Sequence, residues 1–425
     1  MCLYIATVIW IGLYYAKRAN ASSDNFLIGG RKIGPWVTAL GAEASDMSGW
    51  LLMGLPGVAY WFGLSDAFWT ALGLLIGTYL NWLFVSKRLR GYSAIAGNSI
   101  TIPDFFSNRF KEEKKVIAAI ASLFVLVFFT VYASSCFVTV GKLLAGGVQQ
   151  VGTTGEPLFG TAGRYGLLTV ISTLSWGLGY FGMPQVLLKF MAIRKTSELT
   201  FSRRIATIWC AISLTAAVSI GIIGRALFPA AYLTQSYAEN IFILLSKTFF
   251  FPLLVGFIMA GILAATISSS DSYLLIAASA LSKSIYHGIL RREATDKQVL
   301  YVSRITLLVI AVFAMALALD EKSIIFKLVS FAWAGFGVTF GPIMLFSLFW
   351  KRVTRSGAIA GMLTGGGMVF IWNMLIRPLG GAFDIYELFP AFVLSCLVIV
   401  VVSLLSKEPS PELQKEFELA KTFQC

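Results

Sequence analysis

The sequence predicts an all-α polytopic membrane protein, and three observations carry that prediction. The first is composition: 57% of the 425 residues are hydrophobic and 13% are charged, with a mean hydropathy of +0.78, whereas soluble domains average about 25% charged residues. The second is segmentation. Eleven apolar stretches can be drawn, at about 1–16, 34–61, 66–86, 116–147, 165–189, 205–229, 251–282, 300–319, 324–350, 356–376 and 385–406. Most reach the roughly 17–25 residues that a tilted helical span requires. The third is the position of the positive charge. With the N-terminus placed outside, the inner loops and tail hold 27 of the 34 lysines and arginines, and only Lys142, Arg164, Arg225, Lys247, Lys322, Lys327 and Arg377 remain outside. This positive-inside pattern predicts an odd number of spans, N-terminus outside and C-terminus inside. It also removes a nucleic-acid reading of the +13 net charge, because the basic residues border spans.

Taken in order, the first stretch is short. Sixteen residues rise about 24 Å against a hydrocarbon core of about 30 Å, so the bilayer thins there or the true start lies upstream. Lys17 and Arg18 follow the apolar run rather than precede it, which argues against a cleaved signal peptide. The second stretch is interrupted at its middle by Ala44-Ser45-Asp46-Met47-Ser48-Gly49-Trp50. Unsatisfied polar groups in hydrocarbon cost several kcal/mol each, so this backbone should open onto a protein-lined, wet cavity. A carboxylate such as Asp46 at that depth marks a functional site.

The stretches 66–86 and 116–147 are uninterrupted, but 165–189 carries Trp176-Gly177-Leu178-Gly179-Tyr180-Phe181-Gly182-Met183-Pro184. Glycine costs about 1 kcal/mol and proline about 3 in a helix interior. Two interrupted spans in corresponding halves point to a transporter's midplane site. The alternative is a helix–helix contact, since small residues also permit close packing. After 205–229, the stretch 251–282 places Ala265, Ser268 and Ser269 at i, i+3 and i+4, on one helix face. Two hydroxyls and a carbonyl there, with carbonyls freed by the first break, make an all-oxygen nest suited to a hard cation. Serines can instead bond back to the i−4 carbonyl and merely bend a helix, but the run Ser268 to Ser272 exceeds what a bend requires. Asp271 is open between a ligand and a vestibule residue. The last four stretches complete the bundle, and the tail 407–425, with Glu408, Glu412, Glu416 and Glu418 among Lys415 and Lys421, reads as a solvated amphipathic end.

Cys2, Cys136, Cys210, Cys396 and Cys425 stand singly, without metal spacing, and read as small apolar helix residues. His287, the one histidine, falls in a basic loop, and no HExxH or GxSxG context exists. An intramembrane enzyme is therefore not expected, nor an organic cofactor.

The stretch Ala44 to Gly57, the stretch Leu178 to Gly182 with Pro184, and Ile262-Leu263-Ala264-Ala265 with its serines resemble the sodium/solute symporter family, most closely its proline-transporting branch. Phe331 to Gly337 with Gly341-Pro342 adds to the resemblance, which covers nearly the whole chain. It implies an inverted-repeat, five-plus-five (LeuT-type) transporter fold. The first repeat would occupy about 34–147 and the second about 165–350. Accessory helices would lie at 1–16, 356–376 and 385–406, and a cytoplasmic tail at 407–425. It implies sodium bound by the carbonyls of Ala44, Met47 and Ala265 and the hydroxyls of Ser268 and Ser269, with Asp46 in sodium coupling. Trp50, Tyr132, Trp176, Tyr180 and Pro184 would lie near the substrate, where aromatic faces suit a small apolar ring and tyrosine hydroxyls its carboxylate. The implied partners are sodium, L-proline or a similar small solute, and the bilayer of the cell membrane. One departure stands out: the family branch has about thirteen spans against eleven here. Between Lys142 and Gly163 there is only a loop, Leu143 to Ala162, where two core helices are expected. A substrate-binding or sensing protein that does not transport is therefore the rival reading, beside a deletion product. Pantothenate, a sugar or another organic acid are the alternative solutes.

Overall fold

The computed structural model describes residues 2–19, 29–144, 166–320 and 323–422. The predicted loop Leu143 to Ala162 lies largely outside them. In order the helices are α1 (Cys2–Ala19), α2 (Pro35–Asp46), α3 (Leu55–Phe62), α4 (Leu64–Leu80), α5 (Ser86–Ile95), α6 (Ile102–Arg109), α7 (Val116–Leu144), α8 (Leu167–Leu174), α9 (Pro184–Ala192), α10 (Leu199–Leu227), α11 (Gln235–Ala238), α12 (Ile241–Phe249), α13 (Pro252–Ser279), α14 (Asp296–Ala318), α15 (Ile325–Phe349), α16 (Arg355–Ile371), α17 (Leu388–Leu405) and α18 (Pro411–Thr422). Among the described residues eight helical runs are long and apolar enough to cross a membrane. Tyr4–Tyr14, Trp50–Phe62 and Leu167–Gly182 are shorter apolar helices. These eleven together fall on the eleven predicted stretches.

Several helices outlast their apolar part. The prediction 66–86 becomes Leu64–Ile95, and 251–282 becomes Pro252–Leu290. The extensions carry charged side chains that find partners on neighbouring helix ends. Arg88 donates to the Leu348 carbonyl at 2.8 Å, and Arg90 to the Ile193 carbonyl at 2.7 Å. His287 accordingly sits on a helix rather than in a loop.

The core forms around α15, of which Ala332 to Met344 is buried without a gap. It packs against α7, α16, α17 and the segment Ser175–Gly182. Glu239, between α11 and α12, pins the N-terminal end of this helix. It accepts from the Ile325 amide at 3.0 Å and the Phe326 amide at 2.9 Å, and pairs with Lys142 at the end of α7. Burial raises the Glu239 carboxyl above the usual range despite the Lys142 ammonium beside it.

The tail is not the solvated end that its charges suggest. α18 docks on α5 with Phe417 buried, its ring 6.4 Å from that of Tyr92 and the Arg109 guanidinium 5.5 Å from its centroid. Lys111 pairs with Glu412 at 3.3 Å and Glu416 at 3.6 Å. The apolar stripe of this helix therefore outweighs its charge in fixing its place.

Candidate functional site

At the first break, α2 stops at Asp46. Met47 leaves helical geometry with φ −82° and ψ 72°, and the chain resumes as one wide turn over Trp50–Gly54 before α3. The Ala44 carbonyl is left without a helical partner and accepts the hydroxyls of Ser268 and Ser269, each at 3.0 Å, from across the bundle. Three of the five expected ion ligands thus meet at one point, between α2 and α13. Ala265 lies on the same face of α13 one turn earlier, and Met47 is the break itself. Back-bonding holds for the other hydroxyls of this run: Thr266, Ser270 and Ser272 donate to carbonyls three or four residues earlier, at 2.8–3.0 Å. The two readings of the serine run therefore divide it between them. Ser268 and Ser269 reach across to Ala44, Ser270 turns back, and Ser272 does both, since its hydroxyl also meets that of Ser45 at 3.1 Å. Asp271 is exposed on the surface of α13 and touches none of the ion-site groups by hydrogen bond.

Asp46 is buried, and its carboxylate points the other way, toward the second interrupted span. It accepts the Tyr180 hydroxyl at 2.8 Å and the Gln185 amide at 3.5 Å. Its own carbonyl accepts the Trp50 indole at 3.1 Å. Asp46 is thus a tie between the two interrupted helices and makes no hydrogen bond to Ser268 or Ser269. The two helices are tied again by backbone before α2 and after α9, where the Arg194 amide donates to the Ile33 carbonyl at 3.0 Å.

The second interruption is wound tighter rather than opened. Ser175–Gly182 forms a 3-10 helix, and its freed carbonyls are taken up by other helices. The Trp333 indole donates to the Trp176 carbonyl at 2.8 Å, and the Asn81 amide to the Tyr180 carbonyl at 2.9 Å. Its glycines serve close packing as well. A Cβ on Gly177 would stand 2.2 Å from the Gly73 carbonyl oxygen, and one on Gly179 would stand 2.0 Å from the Trp333 indole nitrogen. Gly179→Ala should therefore cost about 1–3 kcal/mol or more through overpacking, seen as a lowered melting temperature in a thermal scan of the purified protein.

The expected substrate residues divide into two groups. Trp50, Trp176 and Tyr180 come together: Trp176 lies 6.2 Å from Trp50, and Trp333 links Trp176 to Tyr180 at 6.1 and 5.0 Å. Tyr386 completes this buried aromatic layer, stacked 5.2 Å from Trp176. Pro184 opens α9 directly before Gln185. Tyr132 stands apart, stacked 4.3 Å from Tyr273, one turn beyond Ser269 on α13, and so belongs beside the ion site. Sequence reasoning missed Gln185, Trp333 and Glu43. Gln185 was signalled as a lone amide following Pro184 in an apolar helix. Glu43 is a second buried carboxylate, one turn before Asp46, whose Oε2 has no hydrogen-bond partner. A cavity of about 780 Å³ reaches this layer and is lined there by Trp176 and Tyr386. Val58, Thr70, Ser172, Phe326 and Asn373 are among its walls.

An all-helical membrane bundle in which two interrupted helices meet at a buried carboxylate, beside a convergent set of oxygens, has the architecture of an ion-coupled transporter. The profile of the sodium:solute symporter family matches residues 26–149 and 162–365. The chain is 36% identical over 474 aligned positions to the sodium/proline symporters of Staphylococcus aureus strains USA300 / TCH1516 and JH9, covering 96% of this chain and 92% of each relative. In three dimensions it resembles the "substrate-bound outward-open state of a Na+-coupled sialic acid symporter", with a TM-score of 0.62 at 15% identity, over 96% of this chain and 97% of the other. The chain belongs to the sodium:solute symporter family. It is a multi-pass membrane protein and a transporter by family, not an enzyme. The 474 aligned positions exceed its 425 residues, so the relatives hold internal segments that this chain lacks. The family match breaks between residues 149 and 162, where the sequence suggests a missing helix pair.

Proposed function

We propose that this chain couples inward sodium movement to the uptake of L-proline or a closely similar small amino acid. The observation that carries the reading is the convergence of the Ser268 and Ser269 hydroxyls on the Ala44 carbonyl. A hard cation suits that oxygen set. An entering sodium would take the Ala44 carbonyl and the two hydroxyl oxygens, with the Met47 and Ala265 carbonyls beside them. It would hold α2 against α13 and so favour the arrangement in which Asp46 engages Tyr180 and Gln185. Coupling of this kind is a difference in ion affinity between two states. One sodium entering at about −100 mV supplies about 2.3 kcal/mol from the electrical term alone. The 36% identity to sodium/proline symporters supports proline as the solute, and Trp50, Trp176 and Tyr180 supply aromatic faces for its ring.

On this reading residues at about 34–147 belong to one five-helix unit of an inverted repeat, short of two helices, and those at about 165–350 to the other. Helices α1, α16 and α17 are accessory, and α18 lies in the tail. The N-terminus lies outside and the tail inside, as the charge distribution requires. A second reading, a binding protein without flux, is favoured by one observation: the relatives hold internal segments that this chain lacks, and the family match breaks between residues 149 and 162, where the sequence suggests two missing core helices.

Radiolabelled proline uptake into proteoliposomes, with and without an inward sodium gradient, separates these. Sodium-dependent accumulation supports symport. Sodium-dependent binding without accumulation supports the second reading. Neither binding nor uptake of proline removes proline as the solute.

A further inference from the structure

A separate cleft of about 230 Å³ lies where α13 outruns its apolar stretch. Three of its walls are basic side chains: Lys115, at the entry to α7, and Lys283 and His287, on the helical extension Ala280–Leu290. All three are half-buried. Among the described residues Lys115 and His287 make no ion pair and no side-chain hydrogen bond. The acidic groups close by are committed elsewhere. Asp104, the one carboxylate in the lining, accepts the Ser284 hydroxyl at 3.2 Å and sits in the first turn of α6, where it complements the helix dipole. Glu112 pairs with Arg355 and accepts the Ile117 amide at 2.8 Å. The walls of the cleft therefore carry an excess of positive charge.

The backbone around the cleft is shaped to hold these groups there. Lys115 has a φ of 49°, a left-handed conformation that is strained for a residue with a side chain and that marks functional positions. Opposite it, a Cβ on Gly288 would stand 3.3 Å from the Lys115 Nζ, so the helix lacks a side chain where the ammonium lies. Half-burying an ammonium without a counter-ion is costly, and two on one small cleft repel. An anion of more than one charged oxygen removes both costs, and lysine ammonium groups are common donors to phosphate. The cleft also begins where the predicted apolar stretch 251–282 ends, at the level of the lipid headgroups. On the proposed topology that is the inner side, where the membrane surface is negative and basic pockets between helices take anionic headgroups. We propose that this cleft binds a phosphate group, with the Lys115 and Lys283 ammonium groups on its oxygens and His287 and Asn98 as flanking donors. An anionic phospholipid headgroup and a free phosphate present the same oxygens. A phosphate held there would bridge the start of α7 to the end of α13, the helix that carries Ser268 and Ser269. The inference goes beyond the transport reading and requires neither sodium nor proline.

The test is thermal unfolding of the purified full chain in two media. One is a series of phosphatidylcholine nanodiscs with increasing phosphatidylglycerol. The other is neutral detergent in which inorganic phosphate replaces chloride at constant ionic strength. A saturable rise in melting temperature is expected. A rise with phosphatidylglycerol alone assigns the site to a lipid headgroup, and a rise with inorganic phosphate assigns it to the free anion. Lys115→Gly suits the left-handed backbone, so it should unfold no earlier than the unsubstituted chain when phosphate is absent. It should nevertheless raise the half-saturating amount of phosphatidylglycerol or phosphate about tenfold or more, as expected for the loss of a charge-assisted hydrogen bond. Lys283→Met should do the same. Asp104→Asn keeps an acceptor for Ser284 but removes the opposing charge, and should lower the half-saturating amount about threefold. A melting temperature that responds in neither medium overturns the site. So does a response that survives both Lys115→Gly and Lys283→Met unchanged, which would be a general effect of lipid or salt.

Discussion

Asp46→Asn should weaken the response of the protein to sodium by about tenfold to a hundredfold. The measurement is the sodium-dependent rise in melting temperature of the purified chain, which needs no knowledge of the solute because an ion that binds the folded state stabilises it by mass action. The expectation follows from where the carboxylate points. It receives the Tyr180 hydroxyl at 2.8 Å and the Gln185 amide at 3.5 Å, while the Ala44 carbonyl two residues earlier receives the serines of α13. The end of α2 therefore has two faces, one toward the ion site and one toward the second interrupted helix. Asparagine keeps an acceptor for Tyr180 but turns an NH2 toward the NH2 of Gln185, so one contact is lost and the other loses its charge. Hydrogen bonds to a charged group contribute about 1.5–3 kcal/mol, and about 1.4 kcal/mol is a factor of ten. Tyr180→Phe should reproduce part of the loss, since it removes the shorter of the two bonds. An unchanged half-maximal sodium concentration in Asp46→Asn would take Asp46 out of the coupling and leave it a purely structural tie.

The elements of this protein were legible because hydrocarbon is an unforgiving solvent. Every span needs a long apolar run, and every interruption needs a reason, so the eleven stretches and the break at Ala44–Trp50 could be read directly. Helix ends were not, because a helix continues past its apolar part when charged residues such as Arg88 and Arg90 find carbonyls to bond. At the ion site, spacing alone placed Ser268 and Ser269 on one face with Ala265. It could not say which serines would turn back to their own helix, since back-bonding and reaching across use the same residue type. Gly177, Gly179 and Gly182 posed the opposite difficulty. Glycine serves an opened helix and a close packing contact equally well, and here Gly73, Trp333 and Phe336 occupy the space a Cβ would take. The direction of the Asp46 side chain, toward Tyr180 and Gln185, is a tertiary fact with no local signature. So is the docking of α18, whose single stripe of Phe417 and Ala420 decides its place against many charges.

Ser269→Ala should abolish most of the sodium-dependent stabilisation, whereas Ser269→Thr should keep it. The argument turns on what the hydroxyl does with and without the ion. Without sodium it is one of two donors to the Ala44 carbonyl, so its loss leaves that carbonyl still bonded to Ser268. The melting temperature in choline should therefore fall only slightly, in keeping with the roughly 0.5–1.5 kcal/mol of an ordinary hydrogen bond. With sodium the same oxygen becomes a ligand, while the neighbouring Ser270 hydroxyl is turned back onto Ile267 and that of Ser272 is engaged by Ser268 and Ser45. The alanine variant thus loses ion response out of proportion to its loss of basal stability. Threonine carries the hydroxyl on the same carbon, and its added methyl is a familiar guest on a helix flank. Ser268→Ala should behave like Ser269→Ala, and the double variant should show no sodium response at all. If the alanine variants lose stability equally in choline and in sodium, the two serines only fasten α13 to α2, and the ion must bind elsewhere.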